Sequence, residues 1–243
     1  MLELAKTYDV CRGEKPKSTV IFLHGIAADS SSFNGLLKYL SNSDVADELR
    51  LVAFDLLGAG KSYASDELEY NFKEQLDALS NSIDKLKVSG PVIIVAHSMG
   101  TMIATRFTEA HKRLVKGLVL LSAPIYRQED IENPMFTKAM EGFREVVGRK
   151  AHGLLTAKSF NNEIKYIVSN PHNYDYLVRL KTPTTIIYGE LDRIIASYNL
   201  PALLKMNPNI MAVKTAGSHG VTRDKYNKVL LALKNFLNEE NKS

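Results

Sequence analysis

The chain has 243 residues, of which 45% are hydrophobic and 24% are charged, and this composition predicts one α/β domain with a substantial core. The formal net charge is +4, but basic and acidic residues are interspersed, which favours a solvated mixed surface over a nucleic-acid face. Apolar runs stay below the roughly 20 residues of a membrane-spanning helix, so we expect neither nucleic acid nor a membrane as a partner.

The cysteine content and the N-terminal segment predict a cytoplasmic protein. Cys11 is the one cysteine, so no internal disulfide can form, as is usual in a reducing compartment. The first ten residues, MLELAKTYDV, carry charges and lack the apolar stretch of a signal peptide. We therefore expect no secretion.

Short β-branched runs alternate with helical patterns along most of the chain. After one or two short strands within 2–12, the predicted strands are 19–23, 49–56, 92–95, 115–122, 184–188 and 210–215. The predicted helices between them are about 31–42 with a serine as N-cap, 71–88, 101–110, 197–205 and 222–238. Such alternation requires right-handed crossovers, so we expect a mostly parallel twisted sheet with helices on both faces.

The alternation stops between about 125 and 180. This segment holds helical patterns near 134–147 and 154–168, followed by a Pro-His-Asn-Tyr stretch at 171–174 that predicts a loop. We interpret the segment as a small helical cap inserted into a single domain. The core of that domain is then formed by 1–124 and 181–243.

Ser98 lies between a buried strand and a helix, in the sequence Ala96-His97-Ser98-Met99-Gly100. Small residues two positions to each side permit a turn so tight that the serine adopts a strained conformation above the end of the sheet. With this nucleophile elbow the chain resembles the α/β-hydrolase family, although Ala96 stands where the commonest motif has glycine. The resemblance covers nearly the whole chain and implies the α/β-hydrolase fold with Ser98 as the nucleophile.

A serine hydroxyl is a poor nucleophile and needs a base, which in this fold follows the nucleophile and an acid in the chain. His219 lies between the last strand and the last helix, where the fold brings a base back over the serine. The other histidines precede the serine, end the helix after it or fall in the cap: His24, His97, His111, His152 and His172. Strand alternation is expected to turn the side chain of His97 away from Ser98.

Three acidic residues are candidates for the partner of His219. Asp192 follows strand 184–188 in a loop that looks like the one in which the family places its acid, and it is our first choice. Glu190 is two residues nearer to the strand, and Asp130 lies past the strand at 115–122, where some family members have the acid.

The tetrahedral intermediate of acyl transfer needs two backbone donors for its oxyanion. The Met99 N–H, one residue after the nucleophile, is the first. The sequence His24-Gly25-Ile26 resembles the family's HG-x motif, which implies Ile26 N–H as the second donor, with Ala27 as the alternative. We expect His24 to brace this loop by hydrogen bonds.

The stretch Gly58-Ala-Gly-Lys-Ser62 ends like a phosphate-binding loop, but Asp55 occupies the position where that motif requires its first glycine. The segment 55–62 instead resembles the hydrolase loop D-x-x-G-x-G-x-S, which supports the site. The sequence has no cluster of His, Cys or carboxylates with metal-ligand spacing. We predict no cofactor and no metal.

The cap is rich in apolar and aromatic residues. Packing of the cap onto the core accounts for most of them, but some could line an apolar acyl pocket. The candidate pocket residues are His24, Tyr126, Met135, Phe136 and Met140.

The resemblance implies acyl transfer to water by a Ser98-His219-Asp192 triad. We therefore predict a cytoplasmic carboxylesterase that hydrolyses small to medium acyl esters. The same triad could cleave a thioester, a lipid ester or a carbon–carbon bond, and some proteins of this fold are small-molecule sensors. Pocket shape decides among these substrates, so the triad leaves them open.

Overall fold

Seven strands form one sheet in the computed structural model. The structure describes residues 1–88, 90–151, 155–170 and 172–240. Within these ranges it does not describe the side chains of residues 135, 136, 139, 150, 151, 239 and 240. The strands are β1 (Ala5–Cys11), β2 (Ser18–Leu23), β3 (Leu49–Asp55), β4 (Val92–His97), β5 (Val115–Leu121), β6 (Thr184–Gly189) and β7 (Ile210–Thr215). Their order is β1-β3-β2-β4-β5-β6-β7. β1 is antiparallel to β3 and the other neighbours are parallel, which confirms the mostly parallel sheet.

The register of the central strands brings their carboxyl ends to one edge of the sheet. Leu23 of β2 pairs with Ala96 of β4, and His97 pairs with Leu121 of β5. β6 and β7 end together, because Gly189 pairs with Thr215. Loops that follow parallel strands therefore meet at this edge, which is where open α/β sheets bind ligands.

Helices cover both faces of the sheet, as predicted. They are α1 (Asn34–Ser41), α2 (Phe72–Leu86), α3 (Met99–Ala110), α4 (Gln128–Ile131), α5 (Pro134–Ala151), α6 (Ala157–Glu163), α7 (Asn173–Arg179), α8 (Leu200–Met206) and α9 (Arg223–Glu240). Successive side chains of β2 point to opposite faces of the sheet and pack in two apolar clusters. Ile21 packs in the cluster that includes α2 and α3, and Phe22 packs in the cluster that includes α1 and α9. No helix in the described ranges is both long and apolar enough to cross a bilayer.

The helix expected at about 31–42 begins differently. A 3₁₀ turn, Ser30–Phe33, precedes α1, and the Asp29 side chain caps this turn by accepting a hydrogen bond from Ser31 N at 2.8 Å. The prediction of a serine N-cap was therefore wrong. Asp29 directly precedes the 3₁₀ turn. Aspartate is as common as serine at the N-cap, and its charged carboxylate accepts a stronger hydrogen bond than a serine hydroxyl does.

The segment between β5 and β6 is helical and contacts the loop after β3. A β-bridge joins Leu155 to Ala59, and the Ser159 hydroxyl donates to Gly58 O at 3.4 Å. α6 is capped by the Thr156 side chain and continues as a π-helical turn at Ile164–Val168. The helix predicted from 154 thus begins at Ala157, and residue 154 lies outside the described residues.

A second correction concerns 171–174, which we predicted as a loop. α7 begins at Asn173, whose side chain donates to Pro124 O at 2.6 Å. Tyr174 and Leu177 are buried at helical spacing, and this packing stabilises a short helix although the local sequence is typical of a turn. Tertiary contacts therefore decide the structure of this stretch.

Candidate active site

Ser98 occupies the turn between β4 and α3 with positive φ, at φ 50° and ψ −120°. Its N–H donates to Leu121 O at 2.9 Å, and its side chain is almost buried, with the residue 6% exposed. Gly100 lets α3 begin directly against β2, since a Cβ there would lie 2.4 Å from His24 O. The small residues of the motif thus permit a strained turn that holds the hydroxyl at the sheet edge.

The structure brings Ser98, His219 and Asp192 into one hydrogen-bonded chain. His219 Nε2 is 2.9 Å from Ser98 Oγ, and Nδ1 is 2.9 Å and 3.1 Å from the two carboxylate oxygens of Asp192. Because an ionised carboxylate only accepts, Nδ1–H is the donor and Nε2 is left to accept the serine proton. The arrangement therefore has the hydrogen-bond geometry that a nucleophile, a base and an acid that orients the base require.

The Asp192 side chain is fully buried, whereas that of His219 is 21% exposed. Burial raises the pKa of the Asp192 carboxyl, but hydrogen bonds from His219 and Ser122 outweigh it and hold the pKa below its usual value. Asp192 is therefore ionised at neutral pH, beside a histidine that retains contact with solvent.

The two alternative acids lie elsewhere. Glu190 faces Lys214, with Nζ and Oε1 3.6 Å apart. Asp130 accepts hydrogen bonds from Tyr198 Oη and Asn199 Nδ2, each at 2.7 Å. Both carboxylates are engaged by these partners, and Asp192 is the acid hydrogen-bonded to His219.

The two predicted oxyanion donors lie on elements that border Ser98. Met99 is the first residue of α3, and the first N–H groups of a helix have no partner within it. The loop that carries Ile26 passes against the nucleophile, because a Cβ on Gly25 would lie 3.0 Å from Ser98 Cβ. Ala27, the alternative donor, has positive φ of 52°.

His24 braces this loop, the role expected for it. One ring nitrogen contacts Gly25 O at 2.8 Å, and the other accepts from Leu56 N at 2.8 Å. Burial lowers the pKa of His24, so the ring is neutral. Both ring nitrogens are therefore used to join the loops after β2 and β3.

The other candidate pocket residues differ in placement. Tyr126 is buried and its hydroxyl donates to Val168 O, so it joins the start of the insertion to the π-helical turn. Met140 of α5 is half-buried against the apolar cluster. The side chains of Met135 and Phe136 lie outside the described residues. A pocket formed by these residues stays a prediction.

Sequence reasoning missed two rings that contact His219. The His97 ring lies beside that of His219, with 5.1 Å between centroids, and its Nε2 donates to His219 O at 2.8 Å. Burial lowers the pKa of His97 to about 3, so this ring is neutral. The ring of Phe143 in α5 forms a T-shaped pair with His219, with 6.2 Å between centroids. Nothing in the spacing of the cap residues distinguished Phe143 from its neighbours.

The glycine-rich loop after β3 is held by a carboxylate. Asp55 accepts from Ser30 N and Lys61 N, each at 2.8 Å. Gly60 has φ of 53°, and a Cβ there would lie 2.2 Å from Asp55 Oδ2. One amide of this turn and one amide at the start of the 3₁₀ turn Ser30–Phe33 therefore bind the Asp55 side chain. In the described part of the chain, no three His, Cys, Asp or Glu side chains are grouped as metal ligands would be.

The family model for the alpha/beta hydrolase fold matches residues 18–166, more than half of the chain. The chain therefore belongs to the α/β-hydrolase family, as the residues around Ser98 predicted.

Relatives and solved structures agree with this assignment. The chain is 28% identical over 174 residues to the Arabidopsis thaliana protein named "Probable lysophospholipase BODYGUARD 1", a match covering 69% of this chain and 37% of that protein. It is 26% identical over 235 residues to the pimeloyl-(acyl-carrier protein) methyl ester esterase of Wigglesworthia glossinidia brevipalpis, a match covering 82% of this chain and 86% of that protein. The esterase EaEST from Exiguobacterium antarcticum has the same fold, with a TM-score of 0.72 at 18% identity, covering 98% of this chain and 100% of that one. The chain spans only 23% to 37% of the length of the five BODYGUARD relatives that it matches.

Proposed function

We propose that this chain is a serine-dependent ester hydrolase in which Ser98 is the nucleophile, His219 the base and Asp192 the orienting acid. The continuous chain of hydrogen bonds from Ser98 Oγ through His219 to Asp192 carries the proposal, with 2.9 Å at each of its two closest contacts. This geometry supports the proposal, because a histidine within hydrogen-bond distance of the serine and held in this tautomer can accept the serine proton.

In the proposed reaction, His219 Nε2 takes the proton as Ser98 Oγ attacks the ester carbonyl. The N–H groups of Met99 and Ile26 bind the oxyanion that forms. His219 then protonates the leaving alcohol, and the acyl group remains on Ser98. A water molecule, deprotonated by His219, attacks the acyl-enzyme and releases the carboxylic acid.

A carboxylic ester of small to medium acyl chain is the proposed substrate class. Support comes from relatives of the same fold that are named esterase, lysophospholipase and methyl ester esterase. The burial of Ser98 and the Phe143 ring beside His219 restrict the space over the nucleophile, which favours smaller acyl groups. We retain a cytoplasmic location as a prediction, based on the lone Cys11.

Hydrolysis of p-nitrophenyl esters from acetate to palmitate tests the proposal. Ser98→Ala should lower kcat by about 10⁶-fold, because removal of the nucleophile leaves only binding and oxyanion contacts. Ser31→Ala, which changes an exposed serine, is the matched control and should retain wild-type kcat.

We expect turnover to be highest with short chains. A maximum at long chains would replace the small-ester substrate by a lipid ester. Turnover that survives Ser98→Ala in a folded protein would overturn the proposed nucleophile.

A further inference from the structure

A lysine is completely buried behind the histidine loop. Lys225 of α9 is 0% exposed, and its Nζ lies 2.6 Å from Ser218 O, 2.6 Å from Gly220 O and 3.2 Å from Ser122 Oγ. An ammonium group has three N–H donors, so donors and acceptors match one for one. A neutral amine would have two donors and would direct a lone pair at an oxygen. The contacts therefore select the charged form, although burial lowers the pKa of Lys225.

Ser122 links this lysine to the acid of the site. It directly follows β5 and has φ of 51°, an unfavourable value for a residue with a side chain, and the residue is fully buried. The hydroxyl accepts from Lys225 and donates to Asp192, and this second hydrogen bond helps to lower the pKa of Asp192. The strained backbone thus places one hydroxyl between a buried cation and a buried carboxylate.

The loop that carries His219 is held by its carbonyl groups. Lys225 binds the carbonyls of Ser218 and Gly220, on either side of the histidine, and His97 Nε2 binds the carbonyl of His219 itself. Three consecutive carbonyls are therefore bound by the side chains of Lys225 and His97. Such bonds are strong when the donor is charged and away from water.

We propose that Lys225 and Ser122 are positioning residues for the triad: Lys225 fixes the loop of His219 and, through the Ser122 hydroxyl, orients the carboxylate of Asp192. This inference rests on the proposed function, since the positioned histidine is the proposed base. Neither residue touches the reacting atoms. Their effect is on the alignment of His219 between Asp192 and Ser98, and a misplacement of about 1 Å can cost on the order of 100-fold in rate.

Lys225→Met keeps the length of the side chain and removes the charge and the donors. We expect kcat for p-nitrophenyl butyrate to fall by about 100-fold with KM unchanged. Arg223→Met removes an exposed cation from the same helix and is the matched control, with wild-type kcat expected.

Ser122→Ala tests the same link without burying or removing a charge. We expect kcat to fall by about tenfold, and we expect the downfield proton NMR signal of His219 Nδ1–H, hydrogen-bonded to Asp192, to broaden or disappear in both variants. A folded Lys225→Met enzyme within threefold of wild-type kcat, with the NMR signal of His219 Nδ1–H unchanged, would overturn the proposal. If Lys225→Met does not fold, an unchanged kcat and NMR signal in Ser122→Ala overturns it.

The NMR signal also separates this positioning proposal from the proposed hydrolase function. It reports the alignment of His219 even if wild-type turnover proves independent of Ser98.

Discussion

Asp192→Asn should lower kcat/KM for an ester by about 10⁴-fold, or roughly 5.5 kcal/mol of transition-state stabilisation. Asp192 Oδ1 accepts from Ile194 N at 3.2 Å, and Oδ2 faces His219 Nδ1 at 2.9 Å. An asparagine that keeps its carbonyl on Ile194 N turns its NH₂ group toward Nδ1. The ring must then carry its proton on Nε2, where the Ser98 hydroxyl needs an acceptor, so the nucleophile loses its base.

The assay is kcat/KM for p-nitrophenyl butyrate in the variant and in two matched controls, Glu190→Gln and Asp130→Asn. Each control removes the charge of an acid that the sequence also offered, and each should remain near wild type because its partners lie away from His219. Urea unfolding of all three variants separates a loss of rate from a loss of structure. Asp192→Asn within tenfold of wild type, or a 10³-fold loss in either control, would refute the assignment of the acid.

Three further changes test the packing around the site. Gly100→Ala should lower the free energy of unfolding by roughly 1–3 kcal/mol, since its Cβ would lie 2.4 Å from His24 O; an unchanged urea midpoint would contradict the close approach. Burial raises the pKa of Glu163 well above 4.5, so the folded state keeps a proton that the unfolded state releases, and stability falls as pH rises above about 4.5. Glu163→Gln should therefore stabilise the protein at pH 8, with no gain at pH 4, and equal gains at both pH values would argue against it. Phe143→Ala should speed modification of His219 by diethyl pyrocarbonate, measured by mass spectrometry, because the aromatic ring beside the imidazole is removed; an unchanged rate would show that Phe143 does not restrict access.

The parts of the fold that follow from local periodicity could be predicted. β-branched runs identified the parallel strands, and chain order selected Asp192 and His219, which the structure brings to Ser98 although they lie about 100 residues away. Strand ends meet at one sheet edge in this topology, so a short motif on each loop is enough to place the side chains together.

Contacts between distant segments could not be predicted. The stretch at 171–174 has the composition of a turn, but burial of Tyr174 and Leu177 stabilises a helix that begins at Asn173. The sequence position of Lys225 does indicate burial, because Lys225 lies four residues before buried Val229 on the apolar face of α9. A lysine at such a position predicts a buried partner, but its acceptors on the histidine loop are known only once the loop is folded back.

Labelling with a fluorophosphonate, followed by mass spectrometry of the peptides, tests the central claim most directly. A serine activated by His219 should react once, at Ser98, and the reaction should be lost in His219→Gln and slowed by an ester substrate. Absence of an adduct in folded wild-type protein, or an adduct on another residue while ester turnover survives Ser98→Ala, would contradict the account.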